Sequence, residues 1–362
     1  MQVRILNSVA ELESLLASCE DQVVSTSMTP MQDPLWQSSC VTAFASDRQV
    51  ENVAVVESGK LLALCSLARE SGLGGRYEQV GARELAEPGG CYFVDEPSLR
   101  TLVDALGHVD HSFGLGRVLV DSPLLLALRN IQSHSGTLLV TPAGNCPYIE
   151  LTAKPASIDQ MLSSHLRSDL RRARRKAEAL GSVDFQIIAP ESRPEFLELY
   201  DQFMGVEASS WKGRAGTAHS LDPPRLAFFR EYGIRATLKG ILRMARMRID
   251  DETIAMQYAV QCCERFWLLK VGYDEDYRRC SPGNLLMHET LRYAAQQDLR
   301  SYEFLGGADD WTRRWTEAER QTVTVEVCRT RVRYTLSRLG KAGNHLSKRL
   351  KSEFKSLSVR HR

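Results

Sequence analysis

The run Arg278-Arg279-Cys280-Ser281-Pro282-Gly283-Asn284 places two guanidinium groups directly before a serine, a proline and a glycine. Serine is a favoured N-cap, and proline suits the first helical position because its missing N–H has no partner there anyway. Glycine removes the side chain that would keep a ligand off the backbone. A helix mouth of this kind has free N–H groups, the positive end of a helix dipole and neighbouring cations, so it attracts anions. The ligand it suits is a phosphate or pyrophosphate, which points to a phosphorylated donor and to group transfer. The mouth follows an extended segment, Lys270-Val271-Gly272-Tyr273, whose edge is the other candidate donor surface. Lys270 stands in an otherwise apolar strand, where it either snorkels at the strand end or lines the donor cleft.

Three further segments carry chemistry. The helical stretch from His165 to Lys176 holds six Lys/Arg, read either as a solvated face or as a second anion contact. Trp211, Lys212 and Arg214 flank Gly213 in a Gly-rich loop, where exposed aromatic and basic groups suggest substrate binding. Gln257 interrupts an apolar strand and either meets substrate or hydrogen-bonds within the core. The eight histidines form no H-x-x-x-H pair, and the nine cysteines form no C-x-x-C, so neither zinc nor any other metal is expected. Gly114-Leu-Gly116 lacks the strand, further glycine and acid of a dinucleotide fingerprint.

The elements that must position these groups alternate strand and helix over a length sufficient for two domains, 362 residues. In the first half, Val9–Ser18 and Pro34–Phe44 read as helices and Asn52–Glu57 with Leu61–Leu67 as a hairpin around Ser58-Gly59. A helix over Leu99–Gly107, a strand over Gly116–Asp121, a helix from Leu124 and strands at Thr137–Val140 and Tyr148–Leu151 follow. Beyond a boundary near residue 150, Ile158–Leu180 reads as one long helix closed by Gly181. Three strands ending in Phe266–Val271 then lead to the Ser281 helix. A strand at Tyr302–Leu305, a short helix from Trp311 and a strand at Thr322–Cys328 complete the second half. The longest apolar run, near Leu124–Leu128, is too short to span a bilayer. A net charge of +1 and cysteines scattered singly except for Cys262-Cys263 fit reduced thiols in a cytoplasmic protein with no nucleic-acid partner. From Arg331 to Arg362 the tail carries ten Lys/Arg against the single acid Glu353, arranged as a basic amphipathic segment. It suits either packing on the second domain or peripheral contact with an anionic membrane.

The order of strands, anion-binding turn, helix, strand, short helix and strand resembles the GNAT acyltransferase superfamily. Arg278-Arg279-Cys280-Ser281-Pro282-Gly283 follows its Q/R-x-x-G-x-G/A turn with Ser281 in place of the first glycine. A wider set, namely Ile254-Ala-Met-Gln257, Lys270-Val-Gly-Tyr-Asp274, Tyr277, Phe304-Leu-Gly-Gly307 and Arg313-Arg314-Trp315, resembles the cellulose-biosynthesis (CelD-like) branch, a relative of the Fem aminoacyl transferases. Asp33-Pro34-Leu-Trp36 and Trp211-Lys-Gly-Arg214 fit the same pattern. The resemblance runs to Cys328 and implies a tandem double GNAT fold, α/β (α+β), with mixed, mostly antiparallel sheets flanked by helices. Residues 1–150 would be a degenerate GNAT-like domain, 151–330 the acyltransferase domain and 331–362 the basic tail. This chain departs from the branch at Ala308, where an acid is usual, and at Trp311-Thr312, where Tyr-Lys is usual.

The resemblance implies acyl-CoA as the donor, held by Lys270, Val271, Arg278, Arg279, Ser281, Gly283 and Asn284, and an amine as the acceptor. Transfer to an amine needs a base, for which Glu207 and Asp309 are the candidates, and a proton donor for the leaving thiolate, for which Tyr273 and Tyr277 are. Trp211, Lys212, Arg214, Gln257 and Trp311 are the candidate substrate contacts. Two other readings stay open: a Fem-like transferase using aminoacyl-tRNA, and a weakly active scaffold protein in surface-polysaccharide assembly.

Overall fold

The computed structural model describes residues 1–19, 29–70, 75–129, 136–151, 158–210 and 222–329, with residue 335 of the tail. Trp211, Lys212 and Arg214 lie outside the described residues, as does nearly all of the basic tail. The first half runs β1 (Gln2–Leu6), α1 (Val9–Ser18), α2 (Pro34–Phe44), β2 (Val50–Glu57), β3 (Lys60–Arg69) and β4 (Tyr77–Gln79). It continues through α3 (Ala82–Leu85), β5 (Tyr92–Phe93), α4 (Glu96–His108), β6 (Phe113–Leu119), α5 (Pro123–Arg129), β7 (Thr137–Pro142) and β8 (Cys146–Glu150). The second half begins with α6 (Ile158–Met161), α7 (Ser164–Glu178), β9 (Val183–Ile188), α8 (Arg193–Ala208) and α9 (Pro223–Leu238). Strands β10 (Leu242–Ile249), β11 (Glu252–Cys262) and β12 (Arg265–Tyr273) lead through a 3-10 turn, Glu275–Cys280, into α10 (Pro282–Gln296). Last come β13 (Ser301–Glu303), α11 (Asp310–Arg313), β14 (Glu319–Arg320) and β15 (Thr322–Cys328).

The long helix expected over Ile158–Leu180 is broken in two. Ser163 leaves helical geometry and its hydroxyl accepts the Leu166 N–H, so it caps a new helix. The hairpin after β2 forms as expected. Ser58 and Gly59 both take positive φ, the turn whose twist matches the flanking strands.

Among the described residues the strands form two mixed, mostly antiparallel sheets. One of eight strands runs β1-β2-β3-β4-β6-β15-β7 with β5 on β3, and one of seven runs β14-β8-β13-β12-β11-β10-β9. The two repeat a pattern. Four antiparallel strands are followed by one parallel pair, β4 with β6 in the first and β12 with β13 in the second. They also trade strands across residue 150: β8 pairs with β13 in the second sheet, while β15, the last strand, inserts between β6 and β7 in the first.

One apolar core is shared by both halves. Trp36 of α2 meets Phe228 and Tyr232 of α9 edge-on, with ring centroids 4.8 Å apart in each pair. At its rim Lys239 reaches Asp33 at 2.7 Å and Arg235 reaches Glu13 at 2.9 Å. The partly exposed ion pairs contribute little, so the aromatic contact holds the halves together. Trp36→Ala should therefore cost about 3–5 kcal/mol, the range for emptying a buried aromatic site. Urea unfolding reads this directly, and a loss below about 1 kcal/mol would mean that the core is not shared.

Candidate active site

Strand β12 lies between β11 and β13, apolar on both faces as a central strand must be. Tyr258 faces Lys270 while Ala259 faces Leu268, so Leu269 is an extra residue that bulges the strand. Pairing with β13 covers only Arg265, Phe266 and Trp267. Beyond that point the two chains part. A cavity of about 490 Å³ opens between Leu268–Val271 on one side and Phe304, Gly306 and Gly307 on the other. A second, of about 350 Å³, lies toward the helix mouth, lined by Val271, Gly272, Tyr273, Arg278, Ser281 and Gly283 among others. The two meet at Val271 and Trp311.

The mouth itself differs from the expected serine cap. Ser281 is left-handed, with φ 48° and ψ 55°, and its hydroxyl makes no capping bond. Pro282 brings no N–H, and the Asn284 and Leu285 N–H groups turn back to the Ser281 carbonyl. A Cβ placed on Gly283 would lie 3.3 Å from the Tyr273 ring, which covers the first turn of α10. On the other side of Ser281 and Asn284 is a third cavity, about 350 Å³, walled by Arg172, Lys176, Arg279 and Arg314. Its one acid among the described residues, Asp169, is engaged by Arg172 and by Arg314 at 2.7 Å, and the Arg172 contact lowers its pKa. The basic face of α7 thus stands beside the helix mouth, as the second-anion reading requires.

The candidate residues divide accordingly. Arg278, Ser281, Gly283, Asn284, Val271 and Tyr273 gather at the mouth cavity, and Arg279 at the cationic one. Burial raises the pKa of Tyr273, so the phenol there keeps its proton. Lys270 is absent from the mouth cavity; it lines the wedge between β12 and β13, with its ammonium 5.0 Å from the Phe229 ring centre. Asp309 and Trp311 line that wedge too.

Three candidates lie outside both cavity linings, and for Gln257 the geometry fits the core alternative. Gln257 is fully buried and accepts a hydrogen bond from Thr290 at 3.0 Å, so it holds α10 on the sheet and lines neither cavity. Tyr277 donates to Glu252 at 2.6 Å, which pushes its pKa up to about 12, and it also lies outside both cavities. Glu207 is fully buried in the last turn of α8, its backbone packed against Gly272 of β12, and it lines neither cavity. At the changed branch positions, the Thr312 hydroxyl donates to the Asp309 carbonyl within its own turn, while Trp311 remains 40% exposed with its ring against Phe304.

Two residues of the first half complete the wedge. Glu87 follows α3 and is only 7% exposed; its Oε2 accepts the Gly306 N–H at 3.0 Å. Arg117 of β6 takes a left-handed φ and donates to the carbonyls of Ala86, Gly144 and Gly306. Gly306 is therefore held at both its N–H and its C=O by groups far away in sequence. No local motif surrounds Glu87 or Arg117, so only the packing of the halves reveals them.

Residues 164–313 match the family model described as an acetyltransferase (GNAT) domain. That segment holds α7, β12, the helix mouth and the second-half side of the wedge. No match to the sequence is found among the curated proteins. Among solved structures, FemX shares the fold at a TM-score of 0.56 and 10% identity, over 90% of this chain and 97% of that one. The C-terminal domain of a putative lysylphosphatidylglycerol synthetase from Agrobacterium fabrum aligns at 0.52 and 14% identity, covering 91% and 94%. L-PGS from Bacillus licheniformis aligns at 0.53 and 10%, covering 86% and 95%. At such identities the likeness is one of fold. It extends over both halves.

Glu87 supplies a stability test. Burial raises its carboxyl pKa above the ordinary 4.5, partly offset by Lys270, the Gly306 N–H and Arg117. The folded protein holds this proton more tightly than the unfolded chain, so stability falls as pH rises from 4.5 through the raised value. Glu87→Gln should consequently be more stable than the parent at neutral pH and above, with the gap closing at acidic pH. Urea midpoints at both pH values check this, and a pH-independent gap would contradict it.

Proposed function

We propose that the protein is an N-acyltransferase that moves an acyl group from acyl-CoA to an amine. One observation carries this reading: the mouth cavity and the cationic cavity share Ser281 and Asn284, so an entrance lined by arginine and lysine side chains leads to the parted strands. In this reading the donor's phosphates sit between the mouth, Arg278, Arg279 and the α7 cations. The acyl thioester lies along β12 between Lys270 and Tyr273, where backbone N–H groups stabilise the charge that develops on the carbonyl oxygen. Tyr273 protonates the leaving thiolate, and the acceptor amine approaches through the wedge past Trp311.

The first half holds no donor in this proposal. Its α4 is capped by Asp95, whose carboxylate accepts the Ser98 N–H at 2.8 Å, so an anion already occupies that helix mouth. The order Ile254-Ala-Met-Gln257, Lys270-Val-Gly-Tyr273 and Phe304-Leu-Gly-Gly307 supports the cellulose-biosynthesis branch, and with it a role in surface-polysaccharide or envelope metabolism. Among the described residues no helix is long and apolar enough to cross a membrane. The proposed contact with the inner membrane face rests on the tail, residues 331–362.

A second reading, transfer of an aminoacyl group from tRNA, is favoured by the other flank of α7. There Arg167, Arg171 and Arg174, with Arg292 of α10, border a cavity of about 700 Å³ together with Asp159, Glu178 and Glu289; Arg174 and Arg292 pair with Glu178 and Glu289, which leaves Arg167 and Arg171 to meet a further phosphate. Binding measurements with tRNA and with acyl-CoA separate the two.

Acetyl-CoA and longer acyl-CoAs should raise the melting temperature, by the equivalent of about 2.7 kcal/mol at a hundredfold excess over Kd. In Gly283→Val the added methyl groups would press on Tyr273 and keep phosphate off the mouth, so the shift should vanish while the fold is retained. An undiminished shift in the variant would move the donor site elsewhere, and no shift in the parent would remove acyl-CoA as donor.

A further inference from the structure

Amine acyl transfer begins with an obstacle. At neutral pH an alkylamine arrives as ammonium, which has no lone pair to attack with, and a group within reach must take one proton. The carboxylates considered for this from sequence are poorly placed. Asp309 is exposed at the rim before α11, and Glu207 lines neither cavity. The wedge contains a different one.

We propose that Glu87, carried by the first half of the chain, receives the acceptor's ammonium and takes its proton. Glu87 is buried yet lines the wedge cavity within which β12 and the Gly306 loop face each other. Its Oε2 accepts the Gly306 N–H, and among the described residues its Oε1 takes no hydrogen bond. A carboxylate accepts about four hydrogen bonds, so Glu87 keeps capacity for N–H donors of a ligand. The cations nearby have partners of their own. Arg117 is committed to three backbone carbonyls, and Lys270 stands over Phe229. The groups facing Glu87 are thus Lys270 from β12, Arg117 from β6, Cys146 from β8 and Asp309 across the cavity. This arrangement selects a primary ammonium as the acceptor group and disfavours an alcohol, which brings no charge to a buried carboxylate.

The step builds on the acyl-CoA reading of the site. The ammonium gives one proton to Glu87 Oε1, and the nitrogen lone pair forms the bond to the thioester carbonyl carbon. Collapse breaks the C–S bond, and sulfur leaves with the electron pair. The second nitrogen proton reaches sulfur through Tyr273. Amide and free thiol remain, and Glu87 releases its proton to solvent. Raised by burial, the Glu87 carboxyl is a stronger base than an exposed glutamate while Lys270 and Arg117 keep its ionised form accessible.

Two probes test this. Ethylamine is protonated at neutral pH, whereas hydroxylamine is not and needs no base. With acetyl-CoA, Glu87→Gln should lower turnover of ethylamine by roughly 100-fold or more, the scale of general base catalysis, and hydroxylamine turnover by less than about tenfold. Glu87→Asp should recover part of the ethylamine rate. In parallel, saturation-transfer NMR should show ethylammonium bound to the parent protein and lost in Glu87→Gln, with acetyl-CoA binding unchanged. Equal losses for both nucleophiles, or an ethylammonium signal that is absent from the parent or persists in the variant, would overturn the proposal. A parent protein that binds ethylammonium through Glu87 but no acyl-CoA would sink the donor reading and leave the acceptor site standing.

Discussion

Everything at the candidate site depends on where β12 and β13 stop pairing. Three parallel pairs hold them together, and after Trp267 and Glu303 the chains separate. A sheet with every strand edge filled has no room for a ligand at its centre. Parting two central strands creates that room while β12 stays paired with β11 on its other flank. The Leu269 bulge adds one residue to the parted segment, which re-aims the side chains beyond it. The cost is backbone left without strand partners, which a buried site tolerates only when other groups supply hydrogen bonds.

The second half does not keep the strands apart by itself. Gly306 is held at its N–H by Glu87 and at its carbonyl by Arg117, both from the first half. The shared aromatic core around Trp36 and the traded strands β8 and β15 fix the distance over which those two residues reach. The first half thus serves as a wall and a clamp. Its own helix mouth is closed by the Asp95 carboxylate, whereas Ser281 leaves the second mouth uncapped by its side chain. The contrast is chemical: one sheet repeats the other in topology, but the first mouth carries an acid at its N-cap and the second carries a serine that makes no capping bond.

What was legible in the sequence is what is local. Arg278, Arg279, Ser281, Gly283 and Asn284 are consecutive, so the pattern that suggests an anion site also places them at one mouth. The strand alternation of Ile254, Met256, Tyr258 and Val260 survives as the buried β11. Roles that depend on a distant partner are not legible in this way. Gln257 and Tyr277 look like polar site residues until Thr290 and Glu252 occupy them. Periodicity alone runs Ile158–Leu180 together, because Ser163 ends one helix and starts another through a hydroxyl contact that hydrophobic spacing does not record. Glu87 and Arg117 carry no motif at all. Their meaning lies in meeting Gly306 across some two hundred residues.

That last contact explains why a buried acid is kept where an apolar residue would cost less. Removing a carboxylate from water is unfavourable, and the raised Glu87 pKa records the fact. If holding Gly306 were the whole purpose, a glutamine would accept the same N–H with no charge to bury. A carboxylate there is justified by an interaction that needs charge, and the nearby cations already engage backbone carbonyls and an aromatic face. The acceptor ammonium proposed for the wedge would supply one, beside Lys270 and Arg117, whose charges already favour the ionised form. Stability sacrificed at one residue is then recovered as selectivity for an ammonium at the point where the strands part.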